Sequence, residues 1–374
     1  MRRILLLTLD FPPRRGGVAR YLYGLAQYWK DQVFVVATPE SGCQEFDSDS
    51  PFKIHRHQLL FEKFWPRWLP SIFYAFKYAK QYDTLWVSHI LPLGTVAYFI
   101  SLVLRKDYFI FLHSMDFALA TRNGWKRWLT QQILNRATLV VTNSVALESR
   151  VKEFSKNPIK TLVVYPFVNL DMMRANVQPR LATNIVGESE DKEKVILLTV
   201  GRLVGRKGHH QVLKALAGLA RSGSNQIQYN IVGSGLEYSA LIKHVQKLGI
   251  VPLVRFFQNV SDQDLPQMYA QADIFIMPTE TKGPDMEGFG IVYLEAGLSG
   301  LPVIGSKLPG VDEAVIHGKT GILVEAGNTD RLAVAIKYLV DNPEARKMFG
   351  QAGRQRVIDQ FCCDDQAKKL TPFM

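Results

Sequence analysis

The chain contains little cysteine, and what it has suggests no cross-linked framework. Of its 374 residues three are cysteines, Cys43 and the neighbours Cys362 and Cys363, and no CxxC pair occurs. A disulfide scaffold and a cysteine-based zinc site are therefore not expected. We expect the protein to work in a reducing compartment such as the cytosol.

Long hydrophobic runs are also absent. No stretch of about 18 uninterrupted apolar residues occurs, so no membrane-spanning helix is predicted. The longest candidate, Ile90–Leu104, is too short to cross a bilayer and predicts a core helix. The basic start followed by Ile4–Leu7 has features of a signal peptide, but Asp10 interrupts the apolar core. This segment predicts a first buried strand instead.

Acidic residues are scarce in the N-terminal half. Residues 1–168 carry 22 Lys and Arg against 12 Asp and Glu, a surplus of +10, whereas the rest of the chain carries 23 against 22. The surplus predicts an anionic partner for the first half: nucleic acid, an acidic glycan or a membrane surface. The overall composition, 47% hydrophobic and 21% charged, is that of a globular protein.

Strand-like apolar runs alternate with helical patterns in both halves of the chain. The runs are Ile4–Leu9, Val33–Ala37, Thr84–Val87, Tyr108–Leu112, Thr138–Thr142, Thr161–Val164, Val195–Val200, Ile227–Val232, Leu253–Phe256, Asp273–Met277, Val303–Ile304 and Gly321–Val324. This alternation predicts two doubly wound α/β domains with ligands at the carboxyl ends of the strands, in the cleft between the domains. Residues 176–194 are polar and lack periodicity, which predicts a linker.

Two glutamates mark the loop and helix between the runs at Asp273 and Val303. Glu287 precedes a helical pattern that starts at Gly290, and Glu295 lies within it. Eight residues at about 100° per residue place the two acids on different faces, so they do not form a simple carboxylate pair. Spacing alone leaves open a helix in which Glu287 is a first-turn acid and Glu295 is solvated.

The start of this helix is a predicted phosphate site. The amides of Phe289, Gly290 and Ile291 would be free first-turn donors. A helix N-terminus carries about half a positive charge and favours anions. If a phosphate ester bound there, one of the two glutamates would reach the group attached to the phosphate. The other would lie beside the phosphate and could bind hydroxyl groups.

Three glycine-rich turns follow other strand-like runs. They are PPRRGGV with Gly16 and Gly17, GRLVGRKGHH with Arg202 and Lys207, and VGSGLEY with Gly233 and Gly235. Paired glycines let a backbone approach a ligand, and two cations across a turn suit a diphosphate. Plain strand-to-helix turns and solvent-facing cations remain open alternatives. The third turn lacks the last glycine of a dinucleotide fingerprint, so NAD binding is not expected.

A histidine and a pair of aspartates are weaker candidates. His113 ends an apolar strand in FLHSMDF, where a lone histidine is more often structural. The DSD at Asp47–Asp49 has the letters of a metal-binding D-x-D, but it stands in the polar segment SGCQEFDSDSP with no strand end to fix it. We interpret it as solvated and expect no metal and no cofactor.

The segment EGFGIVYLEA, followed by GLPVI, resembles the donor-site motif of the family-4 retaining glycosyltransferases. IVYLEA is especially similar to bacterial mannosyltransferases that act on phosphatidylinositol mannosides. FPP-x-x-GG and G-R-L-x-x-x-K-G also match, in the expected order over nearly the whole chain. The resemblance implies a GT-B fold, α/β with two Rossmann-like domains. Their expected limits are 1–168 with a returning tail from about 357–374, and 169–356.

The resemblance also implies roles for the candidate residues. Arg202 and Lys207 would bind the donor diphosphate, Glu287 the hexose, and His113 would stabilise the donor sugar, although Ser114 replaces a common glycine. The donor-binding set would be Gly16, Gly17, Gly233, Gly235, Val260, Phe289, Gly290, Ile291 and Glu295, and the acceptor-side residues Asp10 and Asp116.

The expected function is a retaining transfer of a hexose from a nucleotide sugar to a glycan or a lipid-linked acceptor. Mannose from GDP-mannose is the first choice and a UDP-sugar the alternative. Rival functions are a sugar-nucleotide epimerase, which would need no acceptor, and a non-catalytic binder of anionic ligands. No aromatic and basic motif typical of nucleic-acid binding occurs.

The segment Leu59–Tyr82 bears on the acceptor. It interleaves eight Phe, Trp and Tyr residues before its final tyrosine with Lys63, Arg67, Lys77 and Lys80. Aromatic and basic residues on one amphipathic element are typical of a segment at a membrane surface. The alternative is a core helix with an ordinary solvated face.

Overall fold

The computed structural model describes residues 2–168, 194–224, 226–281, 283 and 287–374. The chain forms two compact units, Met1–Phe167 with Cys363–Met374, and Val168–Cys362. It returns to the first unit at Cys363 rather than at about residue 357, because the helix Pro343–Gln360 runs on past that point. Apart from residue 194, the predicted linker lies outside the described residues.

The first unit is built on a parallel sheet of seven strands in the order β3-β2-β1-β4-β5-β6-β7. The strands are β1 (Ile4–Thr8), β2 (Val33–Ala37), β3 (Ile54–Arg56), β4 (Thr84–Ser88), β5 (Asp107–Leu112), β6 (Leu139–Thr142) and β7 (Thr161–Val163). The helices are α1 (Gly17–Tyr28), α2 (Cys43–Ser48), α3 (Leu69–Lys77), α4 (Thr95–Val103), α5 (Ser114–Ala120), α6 (Gly124–Arg136), α7 (Val145–Phe154) and, after the second unit, α15 (Cys363–Lys368).

Helices cover both faces of this sheet, as continuous apolar strands require. Successive side chains of a strand point to opposite faces. Leu5 and Leu7 of β1 therefore pack with α3 to α7, whereas Ile4 and Leu6 pack with α1 and α15. The register Leu6–Val35 and Leu6–Trp86 places β1 between β2 and β4, where the strand order reverses.

The described residues of the second unit form a parallel sheet of six strands in the order β10-β9-β8-β11-β12-β13. The strands are β8 (Val195–Val200), β9 (Ile227–Val232), β10 (Val254–Phe257), β11 (Ile274–Met277), β12 (Val303–Ser306) and β13 (Gly321–Val324). The helices are α8 (His209–Arg221), α9 (Tyr238–Leu248), α10 (Leu265–Ala270), α11 (Ile291–Leu298), α12 (Val311–Ala314), α13 (Thr329–Asp341) and α14 (Pro343–Gln360). Its order reverses between β8 and β11.

One local prediction is wrong, and another holds over a shorter range. Asp47 is not solvated: SGCQEFDSDSP contains α2, and Asp47 Oδ1 accepts a hydrogen bond of 2.6 Å from Arg56 Nη2 of β3. The ion pair forms because pairing of β3 with β2 brings the two side chains together. The predicted core helix Ile90–Leu104 is helical from Thr95 to Val103, as α4, and the preceding residues Ile90–Gly94 are interrupted by the extended backbone of Leu91.

In the described ranges, no helix combines the length and the apolar character needed to cross a bilayer.

Candidate functional site

The candidate residues of the second unit follow the carboxyl ends of four neighbouring strands. The loop with Arg202 and Lys207 follows β8, Gly233 follows β9, Val260 lies in the loop after β10, and Glu287 lies in the loop after β11. Because the strands are parallel and adjacent, these loops share one edge of the sheet. That edge, at a reversal of strand order, is where open α/β sheets bind ligands.

A buried ion-pair cluster lies at this edge. Lys207 Nζ is 2.6 Å from Glu287 Oε2, and the Arg206 guanidinium donates to the same oxygen. Arg206 and Lys207 are 8% and 7% exposed. Burial alone would raise the pKa of Glu287, but the charges of Lys207 and Arg206 outweigh burial and lower this pKa to about 2. The carboxylate is therefore ionised at neutral pH.

Arg206 has a larger part in this cluster than the sequence indicated. The sequence pattern singled out Arg202 and Lys207, yet Arg202 is exposed while Arg206 is buried against Glu287. The 3-10 turn Gly205–Lys207 turns both neighbouring cations inward. The motif held no signal for this, since the turn conformation decides which side chains point inward. Burial lowers the pKa of Lys207, and the charges of Arg206 and Arg202 act in the same direction, so Arg202 lies nearby.

Gly208 fixes this turn against the end of β11. Its φ of +72° is in the left-handed region, and an added Cβ would lie 1.9 Å from the carbonyl oxygen of Pro278. A side chain at this position therefore conflicts with both the backbone conformation and the packing.

The helix after Glu287 starts at Ile291. Gly290 precedes it with a φ of +85°, and the Tyr293 ring leaves no room there for a Cβ. Phe289 lies before the helix, so its amide is not the first-turn donor that the sequence predicted. Its ring is buried and packs against Phe361 with 5.6 Å between centroids. The amide of Tyr293 donates to the carbonyl oxygen of Gly290 at 3.0 Å, whereas the amides of Gly290, Ile291 and Val292 have no acceptor within the helix.

Glu295 is buried rather than solvated. It is 5% exposed, and its Oε2 accepts a hydrogen bond of 2.7 Å from the hydroxyl of Tyr269. The alternative of a solvated Glu295 is therefore excluded.

Gly233 and Gly235 meet protein backbone. With φ of +141° and +157°, an added Cβ would lie 2.0 Å from the Gly201 carbonyl oxygen and 2.5 Å from that of Leu203. These glycines let the loop after β9 pack on the loop that carries the cations. In the first unit Gly17 is the first residue of α1, and a Cβ on Gly16 would meet no described atom within 4 Å.

A second cluster of titratable groups lies in the first unit, after the ends of β1, β4 and β5. His89 Nε2 is 3.1 Å from Asp10 Oδ2, and Arg14 Nε is 3.2 Å from Asp10 Oδ1. The rings of His89 and His113 are 5.8 Å apart. Asp116 accepts backbone hydrogen bonds of 2.8 and 2.7 Å from the amides of His113 and Phe117.

The two histidines differ in their protonation. Burial lowers the pKa of His113 to about 3, whereas the Asp10 hydrogen bond and the charges of Asp116 and Asp10 outweigh burial and raise the pKa of His89. Burial also raises the pKa of Asp116 to about 6. Among the described residues, Nε2 of His113 has no hydrogen-bond partner.

The sequence reasoning missed His89. This residue has a φ of +73°, which is uncommon for a side chain other than glycine. A histidine at a predicted strand end, in WVSHI, was the available signal. Its partner became visible only when β1 and β4 proved to be neighbours.

Comparisons with known proteins agree with the resemblance seen in the sequence. Residues 182–356 match the family "Glycosyl transferases group 1" and residues 15–172 match "Glycosyltransferase Family 4". A GDP-mannose-dependent alpha-(1-6)-phosphatidylinositol monomannoside mannosyltransferase of Mycobacterium tuberculosis is 30% identical, covering 100% of this chain and 98% of that protein. The chain belongs to the group 1 (family 4) glycosyltransferases.

Other relatives extend the same pattern. A GDP-mannose-dependent monoacylated alpha-(1-6)-phosphatidylinositol monomannoside mannosyltransferase of Corynebacterium glutamicum is 28% identical over 100% of this chain and 98% of its own. The resemblance to family-4 glycosyltransferases is confirmed, and so is the similarity to mannosyltransferases that act on phosphatidylinositol mannosides.

Solved structures confirm the predicted GT-B fold of this glycosyltransferase. Sucrose-phosphate synthase from Thermosynechococcus elongatus has a TM-score of 0.83 at 23% identity, covering 100% of this chain and 98% of that one. HepE of Anabaena, in complex with UDP-glucose, has a TM-score of 0.81 at 20% identity, covering 100% of both chains. The group 1 match contains Arg202, Lys207, Glu287 and Glu295, so the ion-pair cluster lies within the matched residues.

Proposed function

We propose that this glycosyltransferase moves mannose from GDP-mannose to a lipid-linked mannoside. The observation that carries the proposal is the 30% identity, over the whole chain, to a GDP-mannose-dependent phosphatidylinositol monomannoside mannosyltransferase. The basic first half supports an anionic acceptor such as a phospholipid glycan. A UDP-sugar remains the second candidate, because HepE was solved with UDP-glucose on the same fold.

The donor would bind at the ion-pair cluster of the second unit. We assign Arg202 and Lys207 to the diphosphate, with the amides of Gly290 and Ile291 at the start of α11 beside it. Arg206 and Lys207 both donate to Oε2 of Glu287, and Oε1 has no hydrogen bond to another described residue. Oε1 is therefore the atom we assign to a hexose hydroxyl.

The other predicted donor-binding and acceptor-side residues are part of the same proposal. Buried Glu295 serves the nucleoside end, together with the loops of Gly233, Gly235 and Val260. In the first unit, the neutral ring of His113 stabilises the donor sugar. Asp10 and Asp116 serve the acceptor, and Gly16 and Gly17 admit the diphosphate.

We propose a retaining transfer that needs no metal. The bond from the sugar C1 to the phosphate oxygen breaks, and a bond from C1 to the acceptor oxygen forms on the same face. The proton of the acceptor hydroxyl passes to the departing phosphate oxygen, so no separate base is required. Arg202 and Lys207 offset the charge that builds on the diphosphate, the task a metal ion performs elsewhere.

The place of action would be the inner face of a membrane. The segment Leu59–Tyr82 supports this because Phe64, Trp65 and Phe73 are 72%, 85% and 61% exposed. The core-helix alternative does not account for that exposure. We propose a cytoplasmic protein that attaches reversibly to the lipid surface carrying its acceptor.

A thermal-shift panel tests the donor. GDP and GDP-mannose at 100 times their Kd should add about 2.7 kcal/mol to the free energy of unfolding. UDP, UDP-glucose and UDP-N-acetylglucosamine at the same concentrations should add much less. The panel is repeated with EDTA and should not change. Stabilisation by UDP-sugars alone would favour the second candidate, and loss with EDTA would contradict metal independence.

A product analysis separates transfer from epimerisation. Incubation with GDP-mannose alone should leave the sugar nucleotide unchanged by NMR. Appearance of a new hexose on GDP without acceptor would instead favour an epimerase.

A further inference from the structure

The exposed large apolar side chains of the first unit are confined to one side of it. They belong to the layer of α3 to α7 and to the loop before α3, and include Phe64, Trp65, Phe99, Trp125 and Trp128. Within the described residues, α1, α2 and α15 on the opposite face of the sheet contribute none. A one-sided apolar surface of this kind marks an interaction site.

The exposed apolar positions belong to helices that are neighbours. α4 packs against α3 on one side and against α6 on the other. The exposed residues of α4 therefore belong to the helix that contacts both α3 and α6, and the two tryptophans of α6 are 62% and 65% exposed. We call this surface the α3–α6 face.

The segment that forms the α3–α6 face is also strongly basic. Residues 58–137 carry ten Lys and Arg against four Asp and Glu. Two of these acids are neutralised, since Asp83 pairs with Arg3 and Asp107 with Arg2. A third, Asp116, accepts backbone hydrogen bonds. The excess positive charge matches an anionic surface, and tryptophan beside Lys and Arg is typical of the membrane interface.

A cavity beside Trp128 adds a place for a phosphate group. Its volume is about 530 Å³, and Arg127 and Lys156 line it together with Gln131 and Asn157. The buried Nε2 of Gln131 has no acceptor among the described residues. The Arg127 guanidinium is held 5.1 Å from the Phe154 ring centroid. Two cations and an unpaired amide donor suit a phosphate ester.

We propose that the α3–α6 face lies on an anionic bilayer, with α6 as a second anchor whose cavity binds a lipid phosphate. The inference deepens the proposed function, since it names the surface that would bring the enzyme to a lipid acceptor. It extends beyond Leu59–Tyr82 to a separate helix with its own aromatic and basic groups. Binding to lipid requires neither donor nor acceptor, so the surface is testable by itself.

Flotation with phosphatidylglycerol and phosphatidylcholine vesicles tests the proposal. The wild type should float with the anionic vesicles and much less with the neutral ones. Lys126→Gln with Arg127→Gln should lower partitioning about 25-fold at low salt, about fivefold per cation. Trp125→Ala with Trp128→Ala should lower it at least about tenfold at both low and moderate salt.

Matched controls come from the second unit. Lys347→Gln with Arg354→Gln removes two exposed cations, and Leu236→Ala removes an exposed apolar side chain. Both should float like the wild type. Urea unfolding verifies that each α6 variant folds. Equal flotation of wild type and α6 variants, or equal binding to neutral vesicles at low salt, would overturn the proposal.

Two further arms identify the occupant. Glycerol 3-phosphate in solution should bind far more weakly than the vesicles; tight binding that Arg127→Gln abolishes would assign the cavity to a free phosphate and overturn the lipid assignment. Analytical ultracentrifugation should show that the wild type does not dimerise through this face. A wild-type dimer that Trp125→Ala with Trp128→Ala abolishes would instead make the face a contact between two copies of the chain.

Activity separates this proposal from the proposed function. With GDP-mannose and a short-chain, water-soluble acceptor, the α6 variants should turn over like the wild type. If the wild type binds vesicles but transfers no mannose, the membrane-binding proposal is supported and the proposed mannosyl transfer is refuted.

Discussion

Among single residues, the carboxylate of Glu287 is held by two buried cations, Arg206 and Lys207. We expect Glu287→Gln to reduce turnover far more than affinity for GDP, because the lost oxygen would contact the hexose. The change also leaves Arg206 and Lys207 without their shared counter-charge, which costs about 3–5 kcal/mol of stability. Kinetics, GDP titration and urea unfolding measure the three effects.

The same carboxylate predicts a pH dependence. The pKa of Glu287 is about 2 in the folded chain against an ordinary 4.5, so its stabilisation is present above about pH 4.5 and is lost as the pH falls towards 2. Glu287→Gln should lack this part of the acid destabilisation. Full activity of the variant, or unchanged acid sensitivity, would contradict the assignment.

The alanine variants of Arg202 and Lys207 should differ in stability although both lose affinity for GDP. Both alanine variants should weaken GDP as well as GDP-mannose, since both cations are assigned to the diphosphate. Only Lys207→Ala should also lose stability, because Lys207 is buried against Glu287 while Arg202 is exposed. Titration calorimetry with urea unfolding checks both effects. Unchanged GDP affinity in both variants would contradict the diphosphate assignment.

His113 and His89 should titrate differently. The folded-state pKa of His113 is about 3, so its ring should stay neutral at pH 5, and the stability it contributes above pH 6.5 is lost as the pH falls towards 3. His89 should keep its proton above its ordinary value of 6.5. NMR of ring-labelled protein, assigned with His113→Gln and His89→Gln, measures both. A midpoint near 6.5 for His113 would contradict its burial as a neutral group.

Among the elements, Gly208 joins the loop that carries Arg202, Arg206 and Lys207 to the start of α8. Gly208→Ala should destabilise the protein by more than about 1–2 kcal/mol through its left-handed φ, and the clash with Pro278 adds to this. It should also weaken GDP binding by displacing Lys207. Gly218→Ala in the middle of α8 is the matched change. A Cβ there meets nothing within 4 Å, so we expect a gain of about 0.5–1 kcal/mol and unchanged GDP affinity. Similar losses in both variants would refute this role for Gly208.

The element scale also shows how much the sequence alone could predict. Strands such as β1 and β4 were predictable because they are fully buried and therefore continuously apolar. The strand β3 was missed because it is three half-buried residues at the sheet edge. Within the site, the spacing of glycines predicted where the loops lie, because a tight turn requires a backbone conformation that glycine adopts and this requirement is local.

What the sequence could not predict depends on contacts between distant segments. Arg206 meets Glu287 and His89 meets Asp10 only after strand order and turn conformation are known. Burial of Glu295 against Tyr269 likewise depends on the packing of α10 beside α11. Such pairings carry no local pattern.

At the scale of the whole molecule, charge and chemistry are divided between the units. The first half carries a surplus of +10 and the aromatic α3–α6 face. The second unit carries the buried ion-pair cluster within the group 1 match. In this account the first unit finds the lipid and the second holds the sugar nucleotide.

The most direct test is a transfer assay with radiolabelled GDP-mannose and phosphatidylinositol monomannoside in anionic vesicles, with EDTA present. We expect label to enter the lipid fraction in an α linkage, and Lys207→Ala to abolish most of this incorporation. Label that remains wholly in the aqueous phase, while UDP-glucose labels the lipid, would contradict this expectation.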